Sequence, residues 1–254
     1  MPDITLSPTP PADSETIHAR LRELDELKAT FVALVSHELR APVGLLNSYL
    51  DVGLSLMENG SDIAEAKEYL LTAKKQSAQL IRIVQELTDF ARVQQNDSIQ
   101  LAEPFTLRDC LIQVFTLLRP AFESKSIKPV IEIPPDVATI KYDGESLIVI
   151  SRNLLSNAVK FTPQGGRVAV AASSKGDAVT LTIQDSAAPI PPDKRELIFD
   201  DFRQIENYLT RRYEGMGLGL AVARRTARAL SGDITLQVRA DGNTFVVTLP
   251  HSQS

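Results

Sequence analysis

His37 and Glu38 stand side by side in the stretch Phe31-Val32-Ala33-Leu34-Val35-Ser36-His37-Glu38-Leu39-Arg40-Ala41-Pro42. Imidazole titrates near neutrality and acts as a nucleophile without a strong base. A neighbouring carboxylate can orient the ring or accept its proton. Pro42 has no N–H to give the carbonyl of Glu38 one turn back, and its ring crowds that carbonyl. The spacing therefore predicts a bend in a helix beside the histidine. A His-Glu pair at such a place reads as a working site more than as packing.

A second group lies far along the chain. Asn153, Asn157 and Lys160 fall at i, i+4 and i+7, on one face of a helix that ends near Phe161. Amide oxygens are hard ligands suited to Mg²⁺, and lysine is a point charge for phosphate. A solvated polar face opposite Leu154, Leu155 and Val159 explains the same spacing. Gly215-Met216-Gly217-Leu218-Gly219-Leu220 opens another helix. Glycines there would let backbone N–H groups approach an anion, or would simply turn the chain. Asp185 ends a strand pattern, where it could accept a hydrogen bond from an adenine amino group or be an ordinary strand-end aspartate.

The elements that must carry these groups are legible in the hydrophobic pattern. Residues 1–13 hold four prolines among small polar residues and read as a flexible tail or linker. Ile17, Leu24 and Phe31 recur every seven residues, with Leu27 and Leu34 beside them, and predict a helix from Asp13 or Ser14 to about Leu56. Glu58-Asn59-Gly60-Ser61-Asp62 punctuates it, and a second helical pattern runs from about Ile63 to Val93. Two long helices joined by a short turn make a hairpin whose apolar stripe needs cover. Pairing two hairpins in a dimeric four-helix bundle supplies it.

After residue 97 the texture changes. Strands are expected at 130–133, 139–142, 167–171, 179–183, 234–238 and 244–249, with helices near 107–124, 144–161 and 217–231. That interleaving predicts an α+β sandwich, helices on one face of a mixed sheet. The 254 residues are 43% apolar and carry a net charge of −5, which argues against a generic nucleic-acid binder. Cys110 is the only cysteine, so no intrachain disulfide forms and a reduced, cytoplasmic setting fits. No apolar run reaches the length of a membrane span, and the N-terminus lacks a signal-peptide core. Any sensing part is expected outside this chain or on a partner.

In order, His-Glu-Leu-Arg-x-Pro, Asn-x-x-x-Asn-x-x-Lys-Phe, the Asp185 loop, Phe199-x-x-Phe202 and Gly-x-Gly-x-Gly resemble the sensor histidine kinases of two-component signalling. The resemblance covers nearly the whole chain. It implies a dimerisation and phosphotransfer domain over 14–97, and over 98–254 a catalytic domain of the Bergerat fold shared with gyrase, Hsp90 chaperones and MutL. It further implies that His37 takes the γ-phosphoryl group of ATP with Glu38 assisting, that Asn153 and Asn157 hold Mg²⁺, and that Lys160 contacts phosphate. Asp185 would read the adenine amino group, with Phe161 and Leu220 at the same ATP site. Residues from about Arg203 to Glu214 would form an ATP lid bringing Arg211 or Arg212 to the phosphates, and Gly215, Gly217 and Gly219 would support the nucleotide loop. The phosphoryl group would then pass to an aspartate of a response regulator receiver on another protein, within a homodimer.

Two positions depart from the family pattern. Its Asp-x-Gly-x-Gly loop is here Asp185-Ser186-Ala187-Ala188-Pro189, which predicts weaker or slower ATP binding with adenine recognition kept. Where relatives with phosphatase activity carry Thr or Asn four residues after the histidine, this chain has Ala41, which predicts weak phosphatase activity. The alternative expectation is a dimeric signalling scaffold that binds ATP poorly; it leaves the retention of His37, Glu38, Asn153, Asn157 and Lys160 without a purpose.

Overall fold

The computed structural model describes residues 14–59, 63–94, 104–201 and 216–251, with the side chains of the first helix from residue 31 on. The chain divides into two compact units, Met1–Leu80 and Ile81–Ser254.

In the first unit, helix α1 spans Ser14–Glu58, and helix α2, which starts here, spans Ile63–Gln94. α1 stays helical through Pro42. The two helices approach closely where side chains are small. A Cβ at Gly53 would lie 3.3 Å from Leu70 Cδ2. Ala66 and Ala73 are buried, and the rings of Tyr49 and Tyr69 lie 6.2 Å apart. Away from this contact the hairpin leaves Val43, Leu50, Leu54, Met57, Ile63 and Leu71 exposed, Ile63 to 80%.

The second unit begins with the last turns of α2. There follow β1 (Pro104–Thr106), α3 (Leu107–Ser124), β2 (Val130–Glu132), α4 (Pro135–Ala138), β3 (Lys141–Asp143), α5 (Gly144–Phe161), β4 (Val168–Lys175), β5 (Ala178–Asp185), α6 (Gly219–Ala229), β6 (Asp233–Arg239) and β7 (Gly242–Pro250). Five strands form a mixed sheet in the order β2-β4-β5-β7-β6, in which β2 and β4 are parallel and the other neighbours antiparallel. β1 and β3 pair separately. Leu107 and Val114 of α3, Leu147, Ile150 and Leu154 of α5 and Ala223 of α6 share one core with Val168, Leu181, Ile183, Ile234 and Val247 of the sheet.

Local chemistry sets the ends of these elements. Thr106 caps α3 by accepting from the Asp109 N–H, and Asp143 caps α5 by accepting from the Ser146 N–H at 2.8 Å. At the other end of α5, Lys125 Nζ donates to the carbonyls of Val159, Lys160 and Thr162 at 2.9, 2.6 and 2.9 Å. A cation at a helix C-terminus meets both the orphan carbonyls and the negative end of the dipole.

The long elements lie where the periodicity places them. The strand expected at 139–142 is found at 141–143, because Pro135–Ala138 makes a helical turn first and Asp143 must serve as the cap of α5. The last helix starts at Gly219 instead of 217, since Gly217 takes a φ of +74° that a helix excludes. Among the described residues no helix is long and apolar enough to cross a membrane.

Candidate active site

His37 sits in the middle of α1 with its side chain 57% exposed, while that of Glu38 is only 7% exposed. The carboxylate approaches the ring from the Nδ1 side, Oε1 to Nδ1 at 3.5 Å. A buried acid beside an exposed imidazole can hold the ring in one tautomer and leave its edge accessible. Ala41, one turn on, is exposed and brings no polar group.

The other residues lie in the second unit. On α5 the Asn153 Nδ2 donates to the Val149 carbonyl at 2.9 Å, which fixes the amide orientation and leaves Oδ1 beside Gly219. Gly219, the first residue of α6, closes on that oxygen: a Cβ there would lie 2.9 Å from Asn153 Oδ1. Absence of a side chain thus brings the start of α6 against α5. The residue before that helix is Leu218, whose side chain makes no capping hydrogen bond. Met216 and Leu218 anchor the segment in the interior and Leu220 packs on the core. Asn157 and Lys160 are half-buried on the same face as Asn153, and Lys160 Nζ lies 5.1 Å from the ring centre of the exposed Phe161. An amide oxygen beside a glycine backbone fits the hard-donor preference of Mg²⁺.

The end of α2 lies close by within this unit. Asp89 pairs with Arg152, Arg92 pairs with Glu145, and Arg225 stands 5.8 Å from the Phe90 ring centre. Glu86 and Asp89 border the small space next to Asn153, Leu218 and Gly219. Burial raises the pKa of Glu86, against the pull of the Met216 N–H and the Lys160 and Arg82 charges.

Alternation along β5 buries Val179, Leu181, Ile183 and Asp185 on one face, so Asp185 ends a core-facing column. Its Oδ1 accepts from the Ala187 N–H at 2.9 Å and from Asn243 Nδ2 at 3.1 Å. Burial raises its pKa, and these donors oppose the rise. Ala187, at the family's glycine position, is not among the residues with positive φ, so the loop is built without the conformation a glycine would permit.

Asn243, which the sequence reading did not single out, holds this aspartate. It stands directly opposite Asp185 in the β5–β7 ladder and is 2% exposed. Its Nδ2 also donates to the Ala188 carbonyl at 3.1 Å, and its Oδ1 accepts from the Ile190 N–H at 2.9 Å. Gly242 makes the approach possible: its φ is +153°, and a Cβ would come within 1.9 Å of the Asp185 carbonyl oxygen. The β6–β7 turn is Ala240-Asp241, with Arg239 opposite Gly242, and the pairing of β7 with β5 puts Asn243 beside Asp185.

Phe199 is buried, edge-on to Phe245 at 6.4 Å between ring centres, with the Arg224 guanidinium 4.6 Å over its face. Phe202, the lid segment 203–214 with Arg211 and Arg212, and Gly215 lie outside the described residues.

Residues 27–96 match the His Kinase A (phospho-acceptor) domain, and residues 142–253 match the histidine kinase-, DNA gyrase B- and HSP90-like ATPase family. The chain belongs to the sensor histidine kinases. This kinase chain is 35% identical over 228 residues to the sensor histidine kinase AruS of Pseudomonas aeruginosa, covering 87% of the chain and 22% of that protein. It is 29% identical over 244 residues to a sensor-like histidine kinase of Rhizobium meliloti, covering 96% of the chain and 46% of that protein. Among solved structures, full-length ShkA in complex with AMPPNP is 30% identical, with a TM-score of 0.63 over 89% of the chain and 46% of ShkA. The histidine kinase chain thus spans less than half the length of each of these relatives.

Proposed function

We propose that this chain is an ATP-dependent autophosphorylating core of a two-component system, with a dimerisation and phosphotransfer domain over 14–97 and an ATP-binding domain over 98–254. The observation that carries the reading is the pairing of an exposed His37 with a buried Glu38 at Nδ1, in a chain whose second unit carries Asn153 against Gly219, together with Lys160 and Asp185. Glu38 takes the Nδ1 proton or holds it, leaving Nε2 as the attacking atom. The bond from Nε2 to the γ-phosphorus forms as the bond to the β,γ-bridging oxygen breaks, and ADP leaves. Positioning and charge neutralisation do most of the work in such a transfer.

Asn153 and Asn157 would hold Mg²⁺, which when bound neutralises charge on the phosphates. Lys160 would contact a phosphate oxygen. Gly215, Gly217, Gly219 and Leu220 would form the loop under the phosphates, with Arg211 or Arg212 closing from the lid. Asp185 would accept from the adenine amino group, with Phe161 at the rim of the site. The phosphoryl group then moves from His37 to an aspartate carboxylate of a response regulator receiver domain. Two copies pair through the exposed apolar stripe of the hairpin, in the cytoplasm, and input comes from a sensory domain or partner. Ala41 gives no polar group to position a water, so the core passes phosphate on more readily than it removes it.

The test is labelling with γ-³²P-ATP and Mg²⁺. Acid-labile, base-stable label on the parent and none on His37→Gln is the expected result. The glycine-free Asp185 loop favours a second reading, a dimeric scaffold that binds ATP weakly, and an unlabelled parent would select it.

A further inference from the structure

Resting on the ATP-binding reading above, we propose that Asn243 sets nucleotide specificity by positioning Asp185 against a 6-aminopurine, in place of the glycines missing from the loop. The loop after β5 carries Ala187, Ala188 and Pro189, and none of them is among the residues with positive φ. The Asn243 side chain holds its shape instead, through bonds to Asp185 Oδ1, the Ala188 carbonyl and the Ile190 N–H. The amide orientation is fixed by its partners. Exchanging Oδ1 and Nδ2 would face an oxygen to two acceptors and an amino group to the Ile190 donor.

The carboxylate is oriented by the same bonds. Asn243 Nδ2 and the Ala187 N–H converge on Asp185 Oδ1 at 3.1 and 2.9 Å, and the Asn243 backbone N–H also holds the carboxylate. Oδ2, which those two Oδ1 bonds do not engage, is the oxygen the proposal turns to the purine. An ionised carboxylate only accepts, so it pairs with a 6-amino group and repels a 6-oxo group. Asp185 is 4% exposed and Asn243 2%, and in such surroundings a lost partner is not replaced by water. Asn243 acts through Asp185 and is a positioning residue.

The test compares ATP with purine riboside triphosphate, which lacks the 6-amino group, as ligands of the full chain and of Asn243→Ala, by calorimetric titration. The parent is expected to prefer ATP. Asn243→Ala is expected to shrink that preference about tenfold, through weaker ATP binding, with the amino-free ligand changed by less than about threefold. Asn243→Asp keeps the volume but opposes a second carboxylate to Asp185, and is expected to shrink the preference at least as much. In Asp185→Asn the further change Asn243→Ala is expected to leave the preference where it is. Equal weakening of both ligands, or an unchanged preference in both single variants, overturns the proposal and leaves ATP binding standing. A parent that binds neither ligand overturns the ATP-binding reading and this proposal with it.

Discussion

Gly219 leaves 2.9 Å between the position of a Cβ and Asn153 Oδ1, closer than a methyl group and an amide oxygen sit at rest. Alanine favours a helix more than glycine by about 1 kcal/mol. Gly219→Ala is therefore expected to leave thermal stability nearly unchanged while weakening Mg²⁺-ATP binding about tenfold, read as separate melting and titration curves. Asp185 supplies a pH dependence. Burial raises its pKa above the ordinary aspartate range, so it takes up a proton at a higher pH than a solvated aspartate does. As pH falls through that raised value, the carboxylate loses its charge and ATP affinity is expected to decline. The folded state then binds the proton more tightly than the unfolded chain, so the contribution of Asp185 to stability runs the other way: it is present at low pH and lost as pH rises through the raised pKa. ATP titrations and melting curves at matched pH values check the opposed trends.

Elements long enough to show a period were legible. Both hairpin helices, α3 and α5 end within two residues of where their patterns stop, and in α3 and α5 the side-chain caps Thr106 and Asp143 also mark the starts. β1 and α4, of 3 and 4 residues, carry no period and exist through their neighbours: β1 by pairing with β3, α4 by the prolines that start it. The same limit governs the site. His37, Glu38, Asn153 and Asp185 have local signatures, whereas Asn243 owes its role to register across two strands. Lys125 was also silent in the sequence, 34 residues or more from the carbonyls it caps. Lys125→Met keeps the aliphatic stem and removes the three bonds. It is expected to destabilise the protein by about 2 kcal/mol in chemical denaturation, with the loss concentrated at the α5 end that bears Lys160.

At the scale of the whole molecule, the hairpin shows more apolar surface than a lone chain needs. Val43, Leu50 and Met57 recur at seven-residue spacing and are all exposed, with Leu54 beside them. A second hairpin would cover them. Leu50→Glu combined with Leu54→Glu is expected to convert a dimer to a monomer in sedimentation velocity while leaving helix content intact, since neither side chain is buried in the single chain. A parent that is already monomeric at micromolar concentration would refute the pairing.

Cys110 is 0% exposed, and burial, with the charges of Asp109 and Asp143, pushes its thiol up to about 12. At neutral pH it is neither thiolate nor accessible, so a maleimide or an alkylating spin label has nothing to attack. The natural chain thus behaves toward such reagents as if it had no cysteine. A single cysteine introduced at an exposed position on α1, such as Ser36→Cys, can carry a fluorophore or a paramagnetic probe with the native residue left in place. With a second cysteine introduced on the catalytic unit, the distance between the two probes becomes measurable without replacing Cys110, before and after nucleotide is added.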